Sequence, residues 1–357
     1  LIFLSSFKVI ITALICIIRR GEFNYNKYKL LIFDNSYLCQ EIKILIPMKI
    51  SGFTMSKNAE KLGYPVKESI LSALPLVDEF IVVLGDSDPD DNSRKLIEEI
   101  KSDKIKIIDT VWDIEKYPRG MEHAHQTDIA KEHCTGDWLL YLQADELIHE
   151  KDFPSIRKKC EELLSDKEVE GLLFKYYHFW GDYNHYHYSH SWYKHEIRMV
   201  KNDPQIHSWE SAQSFRRIPQ FDGLNYRVQK DTYKLNVAEV DAHIYHYGWV
   251  RSPLIMKKKM VSLARNHRGK EGADKMGKIE FDYGDVSKIR RFKDTHPAVM
   301  KDRILSFDWA DELKTRNKKR QKFKHEKFKY QVLTFIENYI LHKTIFTFKN
   351  YNILKNK

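Results

Sequence analysis

The sequence predicts an α/β protein: a mostly parallel mixed sheet flanked by helices, followed by a helical C-terminal region. Three observations carry that expectation. Short apolar runs alternate with amphipathic helical patterns from residue 48 onward, and polar clusters follow two of the runs, where a ligand-binding sheet edge would lie. The 357 residues, 42% apolar and 13% aromatic, also suffice for a sizeable core.

Taken in order, Ile50 to Thr54 reads as a short strand, Val66 to Leu74 as a helix and Glu79 to Leu84 (EFIVVL) as a buried strand. A helix over Ser93 to Ile100, a strand over Ile105 to Ile108, a helix over Glu122 to His133 and a strand over Trp138 to Leu142 continue the alternation. The polar clusters are GDSDPDDN after the second strand and QADE after the fourth. A helix (Phe153 to Leu164) and a strand (Val169 to Tyr177) lead into residues 176 to 193, YYHFWGDYNHYHYSHSWY, with nine aromatic residues and four histidines. That segment reads as too polar and irregular for a core strand. Strand-like pieces at Glu196 to Val200 and Ala242 to Tyr247 extend the sheet with mixed direction. Neither GxGxxG nor GxxxxGK[ST] occurs, so no dinucleotide fingerprint or P-loop is available.

Composition narrows the class. The net charge of +10 invites a nucleic-acid reading, yet residues 315–357 hold 12 Lys/Arg against 2 Asp/Glu, while residues 48–314 hold 42 against 45. The basicity belongs to the tail, which matches no DNA- or RNA-binding module, and no nucleic-acid partner is expected. Within that tail, Phe328, Val332, Phe335, Ile336 and Ile340 form an apolar stripe at helical spacing beside a basic cluster. Such a stripe suits an anionic membrane surface or a terminal helix packed on the body. Residues 1–47 read as an extension or a membrane anchor, because LIFLSSFKVIITALICII precedes Arg19-Arg20 and the first methionine is Met48. The units expected are therefore 1–47, a catalytic-type domain over 48–265, and a helical region over 266–357. Four cysteines without a CxxC pair fit neither a disulfide framework nor a cysteine zinc site. A reducing compartment follows, cytoplasmic and peripheral to or anchored at the inner membrane face.

The clearest chemistry lies in TGDWLLYLQADE. Asp145, at the end of a hydrophobic strand, is placed to hold a hard divalent cation that bridges diphosphate oxygens; the bland alternative is that Asp145 and Glu146 open the next helix. Aromatic faces pack on sugar C–H groups, so Trp180, Tyr183 and Trp192 are candidates for an acceptor site, against the alternative of a packed aromatic loop. The spacing of His178, His185, His187 and His190 fits no zinc pattern.

Four pieces, ISGFTMSKN, VDEFIVVLGDSDPDDN, CTGDWLLYLQADE and HSWESAQSFRR, occur in an order and spacing that resembles the family 2 glycosyltransferases, which have a GT-A (Rossmann-like) fold. The resemblance covers residues 48 to about 217. It implies a nucleoside diphosphate sugar donor, a glycan or lipid-linked acceptor hydroxyl in cell-surface glycan or polysaccharide synthesis, and Mg²⁺ or Mn²⁺ on Asp145. Two departures stand out. Gln143 replaces the first carboxylate of the usual DAD and can still hydrogen-bond ribose or water; Leu84 replaces an acidic residue, passing the nucleotide contact to Asp86 or Asp88 or to backbone groups. Asn58 lies in the first motif on the donor side. Glu210, after Trp209, resembles the general base of an inverting transfer; a carboxylate held near an apolar ring accepts a proton more readily. Arg216 and Arg217 are candidate diphosphate clamps, and His246 or His243 a candidate metal or leaving-group contact. The rival functions are a nucleotidyltransferase on a similar fold and a nucleic-acid binder using the tail.

Overall fold

The computed structural model describes residues 47–227, 230–314, 320, 322–345, 348–355 and 357. Lys49–Lys357 form one compact unit. The extension-or-anchor reading of 1–47 lies outside the described residues apart from residue 47. No helix among the described residues is long and apolar enough to cross a membrane.

The chain first lays down β1 (Ile50–Ser56), α1 (Val66–Ala73), β2 (Glu79–Leu84), α2 (Ser93–Glu98), β3 (Ile105–Asp109), α3 (Met121–Glu132) and β4 (Trp138–Tyr141). These four strands are parallel in the order β3-β2-β1-β4. β1, β2 and β4 are buried almost throughout, as strands covered on both faces must be, and hence read as continuous apolar runs.

Next come β5 (Glu146–Ile148), α4 (Phe153–Glu162), β6 (Gly171–Trp180), β7 (His185–His187), β8 (His195–Lys201), β9 (Ile206–Trp209), β10 (Ser214–Arg217) and the 17-residue β11 (Tyr233–Trp249). The sheet continues from β4 as β8-β6-β11-β10-β9. β8 is antiparallel to both neighbours, whereas β6 and β11 are parallel. A core of Phe53, Ile81, Val83, Leu139, Ile197 and Phe215 fills one side of the sheet.

The aromatic segment departs from its sequence reading. β6 runs on to Trp180, and a layer including Phe179, Tyr183, Tyr245, Tyr247 and Phe292 forms a second core. Some of the polar atoms that made the segment look irregular find partners within the fold. His178 lies between two hydrogen-bond partners, and Trp192 stacks on His187.

The end of the chain adds α5 (Pro253–Gly277), β12 (Arg290–Arg291), α6 (Lys301–Leu305), α7 (Phe328–Phe335) and β13 (Tyr351–Ile353). The expected boundary at 265 falls inside α5. The terminal region is not helical alone, since β13 pairs with the start of β11 and β12 with β7.

Candidate functional site

β4 ends at Tyr141, and QADE turns the chain from β4 into β5, with Glu146 N–H donating to the Gln143 carbonyl at 2.9 Å. The two acids of that turn diverge. Glu146 is fully buried and takes a bidentate ion pair from Arg198 at 2.7 and 2.8 Å, with the Tyr176 hydroxyl donating at 2.9 Å. It is saturated, and its function is structural.

Asp145, 4% exposed, faces the end of β11 and the first turns of α5. Its Oδ2 accepts from Lys259 Nζ at 3.0 Å and lies 3.6 Å from Arg251 Nη2, while its Oδ1 lies 3.7 Å from His246 Nε2. Pairing between β6 and β11 slips between His246 and Trp249, so a bulge falls at Tyr247–Gly248. The Gly248 carbonyl thereby accepts from Lys259 at 2.7 Å and from Arg251. Glycine is needed here, because a Cβ would sit 2.3 Å from His246 Nε2 and 3.0 Å from Asp145 Oδ2.

Electrostatics in this corner follow from burial and uneven pairing. Burial opposes ionisation of Asp145, but the nearby Lys259 and the other basic side chains outweigh it and hold the carboxyl well below the usual range. Burial, followed by the Arg251 charge, brings the Lys259 ammonium down to about 8 despite Asp145. Burial also lowers His246 to about 4, against the pull of Asp145, so the ring is neutral at neutral pH. Arg251 is 2% exposed, yet its Nη2 makes no hydrogen bond.

These residues fit a divalent cation bound together with a diphosphate. Asp145 Oδ1 and the neutral His246 Nε2 are adjacent donors, and an ion of the Mg²⁺ type takes one or two protein ligands with phosphate oxygens and water completing its shell. No group of three or more His, Cys, Asp or Glu that could hold a metal by itself occurs among the described residues. Arg251 Nη2, buried and unbonded, is suited to a phosphate oxygen.

HSWESAQSFRR folds as the β9–β10 hairpin, pairing Ser214 with Trp209. Glu210 opens its turn at φ 59, with Ala212 at φ 58. Gln143 Nε2 donates to the Ala212 carbonyl at 2.9 Å, so the amide that replaces the first carboxylate ties this turn to the Asp145 strand end instead of facing a ribose. The Glu210 carboxylate meets Arg227 Nη1 at 3.0 Å, not an apolar ring. Trp209 is instead covered by Arg216, whose guanidinium carbon lies 4.6 Å from the ring centroid and whose buried Nε has no partner.

Other expected site residues scatter. Asp86 accepts from Lys57 at 2.8 Å and from Trp112 N–H, and Asp88 from Lys61, at the ends of β1 and β2. Asn58 Oδ1 accepts from the Asp88 N–H at 2.7 Å, so it shapes that edge. Arg217 is committed to Glu170, Asp203 and Gln205, which removes it from a diphosphate clamp. Trp180 and Tyr183 are 0% and 3% exposed and belong to the core, not to an acceptor surface; Trp192 is partly exposed. His243 stacks on Tyr177 at 4.5 Å, away from Asp145. A cavity of about 1010 Å³ between β7 and α7, lined by Tyr188, Arg290 and Lys322 among others, includes none of the candidate donor or base residues.

Lys259 and Arg251 were missed in the sequence. The signal for Lys259 lay in helical spacing: within the run Lys257-Lys258-Lys259 it shares the buried face of α5 with Met256 and Ala264.

No family model and no curated protein matches the chain. Solved structures that resemble it include S. aureus TarS 1-349 in complex with UDP, at 16% identity and a TM-score of 0.34, covering 64% of this chain and 70% of that one. Glucosyl-3-phosphoglycerate synthase from Mycobacterium tuberculosis, in complex with Mn²⁺, UDP and phosphoglyceric acid, matches at 19% identity and 0.25, covering 37% and 43%. The mannosyltransferase PcManGT from Pyrobaculum calidifontis, in complex with GDP-Man and Mn²⁺, matches at 20% and 0.26, covering 35% and 34%. Those ligands belong to those proteins.

Proposed function

We propose that the chain is a GT-A-type glycosyltransferase that moves a sugar from a nucleoside diphosphate sugar to an acceptor hydroxyl of a glycan or lipid-linked acceptor, in cell-surface glycan or polysaccharide synthesis. The observation that carries this reading is the Gln143-to-Ala212 hydrogen bond, which joins the Glu210 turn to the strand end bearing Asp145. That bond supports a reading in which Glu210 accepts the proton beside a basic, diphosphate-binding corner at the same sheet edge.

In the reaction, the acceptor oxygen attacks the anomeric carbon and its proton passes to Glu210. The bond from that carbon to the diphosphate oxygen breaks, and its electron pair leaves with the nucleoside diphosphate. Lys259 and Arg251 stabilise the leaving charge, with Arg216 a further candidate contact. A Mg²⁺ or Mn²⁺ ion held by Asp145 and His246 would supply additional neutralisation of that charge. Asp86, Asp88 and Asn58 shape the nucleotide side. A nucleotidyltransferase would need free basic groups in the loop after β1, where Lys57 and Lys61 are paired with Asp86, Asp88 and Asp90.

A thermal-shift screen of nucleoside diphosphate sugars, with and without Mn²⁺, tests the reading. A donor at 100 times its dissociation constant should add about 2.7 kcal/mol of stability. No shift with any donor in either condition would sink it.

The tail completes the proposal. Phe328, Phe335 and Ile340 are 79%, 56% and 60% exposed, so the apolar stripe faces outward beside Lys324, Lys327 and Lys329. We expect the chain to co-sediment with anionic vesicles in a salt-sensitive way, and removal of 315–357 to abolish it. Undiminished sedimentation of the truncated chain would refute a membrane role for the tail.

A further inference from the structure

His246 does not stand alone behind Asp145. Its Nδ1 lies 3.0 Å from His178 Nδ1, and His178 Nε2 lies 2.8 Å from the Tyr193 carbonyl. A carbonyl only accepts, so His178 must carry its proton on Nε2 and donate there. The Nδ1–Nδ1 contact needs one donor and one acceptor, and the His178 ring, 1% exposed with no carboxylate bonded to either nitrogen, carries a single proton, on Nε2, so its Nδ1 accepts. His246 must therefore donate from Nδ1, which leaves its Nε2 bare and directed at Asp145, 3.7 Å away.

The strands enforce this alignment. His246 is paired with His178 on β6 and with Glu146 on β5, immediately before the bulge. His178 is 1% exposed and leans on Trp192 at 4.9 Å and on Tyr193 at 4.5 Å, so its ring is fixed on both sides. An isolated imidazole has no such constraint and exchanges its proton between nitrogens.

We propose that His178 is a positioning residue: with the Tyr193 carbonyl it locks His246 in the Nδ1–H form, so that Nε2 is presented as a lone-pair donor to a divalent cation beside Asp145. The inference rests on the donor reading above. Partners of this kind set ring orientation and tautomer for metal-binding histidines, and their loss typically costs 10–100-fold in metal affinity.

Two measurements on the full chain test it. In ¹⁵N-histidine-labelled protein without metal, the His246 signal, assigned with His246→Gln, should show a protonated Nδ1 and an unprotonated Nε2. Mn²⁺ titration in the presence of UDP or GDP should then weaken about 10–100-fold in His178→Phe, while His178→Asn, whose amide oxygen can accept where Nδ1 did, should retain most of the affinity. A protonated Nε2 in the unmutated protein, or equal Mn²⁺ affinity in His178→Phe, overturns the proposal; UDP or GDP binding by the unmutated chain would still support the donor reading. If that chain binds neither Mn²⁺ nor any nucleoside diphosphate, the donor reading fails and the proposal with it. Should His178→Phe not fold, the nitrogen spectrum and His178→Asn decide, and loss of Mn²⁺ affinity in a folded His178→Asn counts against the proposal.

Discussion

Two carboxylates adjacent in sequence, Asp145 and Glu146, occupy opposite kinds of environment. Glu146 is enclosed with one guanidinium and has its oxygens bonded by Arg198 and Tyr176 and by the Gln143 N–H. Asp145 has one hydrogen-bonded cation, Lys259, a neutral imidazole at 3.7 Å, and at 3.6 Å the Arg251 Nη2, which makes no hydrogen bond. The first arrangement is complete and has nothing left to bind. The second has spare donors and acceptors of both signs, which is what a ligand site requires before its ligand arrives.

The contrast breaks most visibly through Arg198. Arg198→Met leaves Glu146 charged and unpaired at zero exposure, and should destabilise the fold by about 3–5 kcal/mol in urea unfolding. A loss below about 1 kcal/mol would make the Glu146 side no more structural than the other. Asp145→Asn should do the reverse. Its melt should fall less than that of Arg198→Met: the ionised Asp145 is stabilised by its basic neighbours, but Lys259, already lowered to about 8, can give up its proton when that partner is lost. Its Mn²⁺ affinity should fall by more than about 100-fold, beyond the usual effect of an outer partner. An undiminished Mn²⁺ titration would remove Asp145 from the metal.

Glu210→Gln sharpens the comparison on the acceptor side. Glu210 and Arg227 pair at a partly exposed surface, so the fold and donor binding should survive while turnover drops by roughly 10²-fold or more. Near-normal transfer rates would assign the proton to another group, with His207, bonded to Asp128 at 2.7 Å, next in line. Smallest is Gln143→Ala, which deletes one neutral hydrogen bond to the Glu210 turn. We expect about 1 kcal/mol of stability lost and a fall in kcat smaller than that of Glu210→Gln. Unchanged kcat would show that the tie does not position the turn.

The alternating half of the molecule was readable because its signals are local. β1 to β4 and α1 to α4 fall where apolar runs and helical spacing place them, within a few residues. The aromatic half was not, because its order is non-local: Phe179 packs on Tyr247, 68 positions later in chain separation by number, and only that contact explains its burial. The candidate site divides likewise. Asp145 and Glu210 stand out from strand ends and motif spacing, but the role of Gln143 depends on a carbonyl 69 residues away. Lys259 and Arg251 lie 114 and 106 residues beyond Asp145, where a single sequence offers only the phase of a helix.

The long strand β11 has a consequence in the time domain. Ile244, Tyr245 and His246 are paired on both edges, to β5 and to β6, while the start of the same strand pairs with β10 and β13. Amide protons there cannot reach water by local fraying, so their deuterium uptake is set by opening of the whole sheet. The Glu210 turn is tied at single points, by the Glu210 N–H to the Tyr226 carbonyl and by Gln143 to the Ala212 carbonyl. The His246 imidazole is thus held through the lifetime of the folded state, whereas the Glu210 turn depends on single hydrogen bonds that can open without the sheet.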